Sequence, residues 1–121
     1  QKEFVAAAFS AGADLILGHH PHVLQPVEVF GSTVSVSSVA VYSLGNFLFV
    51  SPTEGTQWTA LARLRLRRGS ISAGFLPLEI VAGRLLPAGE SGREIVRAAL
   101  DRHGALSAHP ARFTLLGGAP P

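Results

Sequence analysis

The stretch GADLILGHHPHVLQP, residues 12–26, carries the strongest structural signals of the chain. Before it, apolar residues recur at helical spacing within residues 2–12, so Gly12 predicts the end of a first helix. The apolar run after Gly12 predicts a short strand that is buried on both faces and ends at Gly18. A helix, a tight glycine turn and a buried strand in this order are typical of an α/β sheet.

Three of the five histidines follow this strand directly, at positions His19, His20 and His22. Loops at strand ends of α/β sheets are where ligands usually bind, and imidazole is a common ligand of Zn, Fe, Mn and Ni. Gly18 lets the backbone turn and Pro21 stiffens the loop, so the rings are held in place. Two interpretations remain open at this point: metal ligands, or polar loop residues that hydrogen-bond to the backbone.

Composition limits the classes of protein that the chain can represent. Its 121 residues, 47% of them hydrophobic, suit one small domain with a packed core, and no linker divides them. The absence of cysteine excludes disulfides, thiolate metal ligands and a cysteine nucleophile. The net charge is only +2, so the arginine content is not read as a nucleic-acid signature, and no nucleic-acid partner is expected. No apolar run approaches the roughly 18 residues of a membrane span.

The remainder of the chain predicts mainly paired strands. Residues 25–30 alternate between polar and apolar, and residues 34–50 are rich in β-branched and aromatic side chains, which predicts two paired strands. A second strand pair is predicted to turn at residues 68–70, followed by a short hairpin at residues 82–83. The first residues read as the middle of a longer sequence, and we expect the chain to be a fragment.

One more helix is predicted near the C-terminus. Ser91 is expected to cap it together with Glu94, and Gly104 is expected to end it. The Pro/Gly-rich residues 108–121 are predicted to form a flexible tail.

Two motifs together resemble the CapA-type family of poly-γ-glutamate capsule synthesis proteins. These are AGADLILGHHPHVLQPVEV, residues 11–29, and VYSLGNFLFV, residues 41–50. The resemblance implies the C-terminal portion of a metallophosphoesterase-like αββα sandwich, β-rich with a helix near each end. It assigns residues 1–107 to this part of the domain. It also implies that the protein lies in the cell envelope, outside the cytoplasm or associated with the membrane, and that any contact with the membrane is made by segments upstream of these residues.

The resemblance also implies a site with two divalent metal ions, such as Mn, Zn or Fe. His20 and His22 fit the family's His-x-His spacing, while the alternative register with His19 and His22 remains open. In the first register His19 does not bind metal, and it would be a catalytic residue that stabilises charge on the reacting oxygen. Asn46 and Gln25 are predicted to contact the substrate or the metal ligands, and Gly18, Pro21 and Gly45 are predicted to shape the loops.

The family's remaining ligands, which are aspartate, asparagine and histidine, come from upstream motifs that these residues lack. The chain alone is therefore expected to be inactive, with the N-terminal part of the same domain as its partner. In the complete protein we expect metal-dependent hydrolysis of a phosphoester or of a bond in a cell-envelope polymer.

A second hypothesis is a non-catalytic module that binds or anchors an anionic capsule polymer. Arg63, Arg65 and Arg67 alternate with leucine and so share one strand face, along which such a polymer would lie. The solvated outer face of an edge strand explains the same pattern, and both interpretations stay open here.

Overall fold

A computed structural model describes residues 1–31, 36–48 and 52–117. Along the chain it contains α1 (Lys2–Ser10), β1 (Leu15–Leu17), β2 (Leu24–Gly31), β3 (Val36–Leu44), β4 (Trp58–Arg67), β5 (Ser70–Val81), β6 (Arg84–Pro87), α2 (Glu90–Leu100), α3 (Ala105–Ala108) and β7 (Phe113–Leu115). The first helix, the two predicted strand pairs and the short hairpin are all confirmed.

Sheet A has the strand order β1-β3-β2, with β1 parallel and β2 antiparallel to β3. Alternation along β3 gives the sheet two apolar faces. On one face, Ala40 and Tyr42 pack with Val5 of α1, so the first helix covers that side. On the other face, Val39 and Val41 are fully buried in the main core.

Sheet B has the order β4-β5-β6, and β7 pairs in parallel with β5. Ala60 of β4 and Phe75 of β5 lie on the face of sheet B that belongs to the main core. Val96 and Leu100 of α2 are fully buried in the same cluster. The two sheets and α2 therefore share one hydrophobic core, while α1 lies on the opposite face of sheet A.

This architecture confirms an α/β fold with mixed sheets and a helix near each end. The β1 prediction is only partly right, because Leu15 and Ile16 are half-buried and Leu17 is 43% exposed. The reason is that β1 pairs on one side only, with β3, and forms an edge of sheet A. The long strand predicted for residues 34–50 ends at Leu44, and residues 49–50 lie outside the described part of the chain.

The predicted boundaries of the C-terminal helix are wrong. Gly89 is the N-cap of α2 and no side chain caps it, so Ser91 and Glu94 lie inside the helix. The helix ends at Leu100 instead of at Gly104, which has φ +76° and precedes α3. The Asp101 carboxylate accepts hydrogen bonds from backbone N–H groups in the first turn of α3. These bonds stabilise the start of a further helix where the sequence predicted only the end of one.

Residues 108–117, which were predicted as part of the tail, include the strand β7. Phe113 of β7 is only 1% exposed and pairs with Ala73 of β5, so this segment completes sheet B. Residues 118–121 lie outside the described part of the chain. The glycine and proline content of this segment does not indicate a strand, and the partner of the three-residue β7 lies about 40 positions earlier in the chain. Among the helices that the structure describes, none has the length and apolarity to cross a membrane.

Candidate functional site

The histidine loop, residues 18–22, begins where β1 ends, and Gly45 and Asn46 begin where β3 ends. Because β1 and β3 are parallel, their carboxyl ends meet at the same edge of sheet A. Gly18 donates its backbone N–H to Val41 O at 2.7 Å. A Cβ at Gly18 would collide with the carbonyl oxygen of Tyr42, so only glycine permits this close approach to β3.

The backbone of the loop has an unusual conformation at two histidines. His20 has φ +97° and His22 has φ +61°, a region that residues other than glycine rarely adopt. Each such residue costs on the order of 1–3 kcal/mol, and such costs concentrate at functional sites. The rings of His20 and His22 lie with their centroids 6.0 Å apart and their planes at 53°. The loop therefore directs these two imidazoles toward one region, as the His-x-His spacing predicts.

A hydrogen bond between His22 and Asn46 sets which nitrogen of the neutral His22 ring carries the proton. Asn46 Nδ2 donates to the carbonyl oxygen of Thr56 at 3.3 Å, which places Asn46 Oδ1 toward His22. His22 Nδ1 lies 2.8 Å from that Oδ1, an acceptor, so Nδ1 carries the proton and donates. In the neutral ring the lone pair is therefore on Nε2, the state that a metal-binding imidazole requires.

Asn46 is held in place by residues around it. It is 5% exposed, and it follows Gly45, whose φ of +80° turns the chain out of β3. A Cβ at Gly45 would lie 2.7 Å from Trp58 O, so a glycine is needed for packing as well as for conformation. Thr59 Oγ1 donates to Leu44 O at 2.8 Å and joins the end of β3 to β4. The rigidity around Asn46 supports its hydrogen bond to His22.

Thr56 and Thr59 were missed by the sequence reasoning, which assigned neither residue to the site. No spacing relates either threonine to the histidines, because their contribution depends on how sheet B packs beside sheet A. Thr56 is buried, with its hydroxyl donating to Thr53 O at 2.6 Å. Thr59 is also buried, and both threonines hold the segment around Asn46, since Thr56 O accepts from Asn46 Nδ2 and Thr59 Oγ1 donates to Leu44 O.

A cavity of about 540 Å³ lies at this edge and is lined by His19, His20, His22 and Asn46. The structure thus brings together all three predicted histidines and the predicted asparagine. The other lining side chains are mostly apolar, namely Leu44, Phe47, Leu48, Ala60, Leu61 and Ala62. One wall of the cavity therefore offers nitrogen and oxygen ligands, and the facing wall offers hydrophobic contact.

Gln25 lies elsewhere, contrary to the prediction that it contacts the site. It accepts a hydrogen bond from Gln1 Nε2 at 3.0 Å and lines a separate cavity of about 160 Å³ beside Tyr42. Gln25 belongs to β2, where it pairs with Ser43 of β3, and not to the histidine loop.

Tyr42 and Glu28 form a pair on the α1 side of sheet A. The Tyr42 hydroxyl donates to Glu28 Oε2 at 2.6 Å. Burial, the hydrogen bond and the charge of the carboxylate together raise the pKa of Tyr42 to about 12. Glu28 is therefore engaged with Tyr42 on β3 and is not directed at the histidines.

The histidine nitrogens around the cavity meet part of what a metal site needs. Imidazole nitrogens suit Zn, Mn or Fe, and the Nε2 lone pair of His22 has the required chemistry. Within residues 1–31, 36–48 and 52–117, however, no three His, Cys, Asp or Glu side chains are grouped so as to hold a metal ion. Asp14 lies in another cavity with Arg67 and Arg68. The described residues thus fit part of a metal site and do not complete one.

Comparisons with known proteins define the class to which this fold and site belong. A family model described as "Bacterial capsule synthesis protein PGA_cap" matches residues 1–51, which include the histidine loop and Asn46. The "PGA biosynthesis protein CapA" of Bacillus subtilis (strain 168) is 44% identical over 68 residues, which are 56% of this chain and 17% of that protein. The "Capsule biosynthesis protein CapA" of Bacillus anthracis is 36% identical over 104 residues, 85% of this chain and 22% of that protein. No solved structure matches the chain.

The matched region, with its histidine loop at the carboxyl edge of sheet A, places the chain among bacterial capsule synthesis proteins. More particularly, the chain belongs to the CapA-type family, which confirms the resemblance inferred from its two motifs. It spans 17% and 22% of the length of the two curated relatives.

Proposed function

We propose that the histidine loop forms one wall of a divalent-metal site in a hydrolase of capsule biosynthesis. The complete protein would have a metallophosphoesterase-like αββα fold and would cleave a phosphoester or a bond in a cell-envelope polymer. The hydrogen bond from His22 Nδ1 to Asn46 Oδ1 carries this proposal, because it leaves the ligating lone pair on Nε2. The names of the two relatives support the link to capsule biosynthesis.

In this proposal each residue of the site has its own part. His20 and His22 bind metal, Asn46 orients the His22 ring, and His19 stabilises charge on the reacting oxygen. Two divalent ions, when bound, would polarise the oxygen of the scissile bond. The apolar wall of the cavity excludes water from one side, which strengthens the electrostatic interactions within it.

The remaining ligands are proposed to come from the N-terminal part of the same domain in the longer protein. Imidazoles are neutral ligands, and a two-metal site needs anionic or amide ligands to balance its charge. We therefore expect this chain alone to bind Mn or Zn weakly and to show no turnover. Turnover by the chain alone, lost in His22→Ala, would contradict this part of the proposal.

The decisive experiment uses the full-length protein that contains this chain. Mn- or Zn-dependent hydrolysis of a chromogenic phosphoester should fall at least about 100-fold in His22→Ala, because a metal ligand is removed. His103→Ala is the matched control, since His103 is exposed and lies beyond α2. Equal hydrolysis by the parent and His22→Ala would refute the role of the loop.

A second experiment tests Asn46 as a positioning residue. Asn46→Leu has a similar volume but offers no acceptor to His22, and loss of such an outer contact lowers metal affinity about 10- to 100-fold. Asn46→Asp retains an acceptor and should keep most of the affinity. The readout is calorimetric titration with Zn, with the folded fraction of each variant matched by circular dichroism. If Asn46→Leu and Asn46→Asp bind Zn equally well, Asn46 does not act through His22.

A non-catalytic module that binds an anionic capsule polymer is the second candidate. It is favoured by the three exposed arginines of β4, Arg63, Arg65 and Arg67, which lie apart from the histidine cavity. Polymer binding by the full-length protein that survives a chelator, without any metal-dependent hydrolysis, would favour this candidate. Chelator-sensitive hydrolysis would favour the enzyme.

A further inference from the structure

One side of β1 is open in the part of the chain that the structure describes. β1 pairs with β3 alone, in parallel, and so forms an edge of sheet A. In hydrogen bonds with β3, Asp14 O accepts at 3.0 Å and the Gly18 N–H donates at 2.7 Å. Because successive residues of a strand direct their N–H and C=O groups to alternate sides, those of Leu15 and Leu17 point away from β3. A further strand can bond to these groups.

The composition of β1 differs from that of β2 and β4, two other strands at sheet edges. β4 carries three exposed arginines, and β2 contains Pro26, which has no N–H to donate to a neighbouring strand. Charged residues and proline are common means by which a sheet edge avoids pairing with another strand. β1 has neither: it consists of Leu15, Ile16 and Leu17, and Leu17 is 43% exposed. The open side of β1 is therefore suited to pairing.

The helix before β1 indicates where a further strand would come from. α1 packs on sheet A through Val5, and the Phe9 ring lies edge-on to Phe30 with centroids 4.9 Å apart. Residues 11–14 then lead directly into β1. Two adjacent parallel strands need a crossover connection, usually a helix that packs on the sheet, and consecutive elements are usually neighbours in space. α1 and β1 therefore have the arrangement of the second half of a strand–helix–strand unit.

α1 also has an uncovered apolar side. Its residues 4–9, FVAAAF, are apolar all round, yet Val5 is the one buried residue of the helix and Phe4 is 71% exposed. A helix with apolar residues on every side is normally covered by other parts of a protein. The chain spans 17% and 22% of the length of its two curated relatives, so most of each relative lies outside the matched region. A protein of that length has ample chain to cover α1 and β1.

We propose that the residues directly before α1 in the longer protein form a strand that pairs in parallel with the open side of β1. The backbone of this strand bonds to Leu15 and Leu17, and its side chains cover Leu17. The pairing does not depend on metal binding or hydrolysis at the histidine cavity. A second copy of the chain is less suited to this edge, because two three-residue strands that meet across a twofold axis bury far less than the roughly 1,200 Å² of a stable interface.

Hydrogen–deuterium exchange of the full-length protein, resolved to single amides, tests this pairing. The Gly18 amide bonds to β3 and serves as the internal reference. With the proposed strand in place, the amides of Leu15 and Leu17 should exchange at least about 100-fold more slowly than unprotected amides, as that of Gly18 does. Fast exchange at Leu15 and Leu17 beside slow exchange at Gly18 would overturn the proposal. Protection that disappears on dilution, as a dimer dissociates, would also overturn it, because the partner would then be a second copy.

Leu17→Pro tests the backbone contact itself. The Leu17 N–H points away from β3, so proline leaves the bonds between β1 and β3 in place and removes a donor from the proposed pairing. Leu17→Ala is the matched control, because it also loses the side chain but keeps the N–H. In the full-length protein Leu17→Pro should speed exchange at Leu15 at least about tenfold relative to Leu17→Ala, and it should have the lower Tm. Equal exchange and equal Tm in the two variants would refute the backbone pairing. If Leu17→Pro does not fold, the exchange pattern of the parent protein decides.

Discussion

Phe113→Ala tests whether the C-terminal segment is an integral part of sheet B. Phe113 is 1% exposed, its backbone pairs with Ala73, and its ring lies edge-on to His109 with centroids 6.2 Å apart. Truncation to alanine leaves a cavity in the core that the two sheets and α2 share. The flanking strand cannot collapse into this space without breaking the β5–β7 pairing.

The expected loss of stability follows from this burial. Replacing a fully buried phenylalanine by alanine costs about 3–5 kcal/mol, from lost transfer free energy and from the cavity. A domain of this size has a total stability of about 5–15 kcal/mol, so the variant would lose a large fraction of it. At this chain length roughly 4 °C of Tm corresponds to 1 kcal/mol, which gives a drop of roughly 12–20 °C.

Urea unfolding of the chain, followed by tryptophan fluorescence and circular dichroism, measures the free energy of unfolding directly. Thr114→Ala is the matched control, because Thr114 is the next residue of β7 and its side chain is exposed. That variant should stay within about 0.5 kcal/mol of the parent. A loss of less than about 1 kcal/mol in Phe113→Ala would refute the docking of β7 in solution.

Three further perturbations test other parts of the fold. Gly45→Ala should lower the free energy of unfolding by about 2 kcal/mol or more, because the new Cβ would lie 2.7 Å from Trp58 O and the residue has φ +80°. Gly69→Ala is the matched control: its φ is +68° but the space around it is open, so it should cost about 1 kcal/mol. Thermal unfolding measures both. Tyr42 is the single tyrosine, so its absorbance at alkaline pH reports its pKa of about 12; Glu28→Gln should lower this pKa but leave it above 10, because burial is the largest cause. The folded state holds the Tyr42 proton more tightly than the unfolded state, so this contribution to stability is complete below about pH 10 and is lost as pH rises toward 12. Asp101→Ala should cost about 1 kcal/mol through the lost cap of α3. Burial alone would raise the pKa of Asp101, but hydrogen bonds from the start of α3 and a nearby arginine lower it, so its contribution is present at neutral pH and is lost on acidification. An unchanged acid limb of the stability curve in Asp101→Ala would contradict this assignment.

Local sequence signals predicted most of the elements. α1 ends at Ser10, two residues before the predicted stop at Gly12, and the turn predicted at residues 68–70 joins β4 to β5. These signals work because backbone freedom at glycine and the two-residue repeat of strands act over only a few positions. Boundaries were less predictable: Ser91 has the sequence of a cap but lies inside α2, because the helix already begins at Glu90.

The residues of the candidate site were likewise predicted only in part from the sequence. The histidine loop was predicted from its own sequence, and Asn46 from its motif. Gln25 was misplaced, because its position next to the loop in sequence says nothing about the direction in which β2 leaves that loop. The family could also be identified from the sequence, because two short motifs carry the resemblance.

By itself, the sequence determined that the chain is an α/β member of the CapA-type family with a rigid histidine loop at a strand end. Only the tertiary structure decided the proton position on His22, because Asn46 reaches that ring across 24 residues of chain. It also decided that β7 completes sheet B by pairing with β5. Contacts between distant segments depend on how the two sheets pack, and no local pattern of residues encodes that packing.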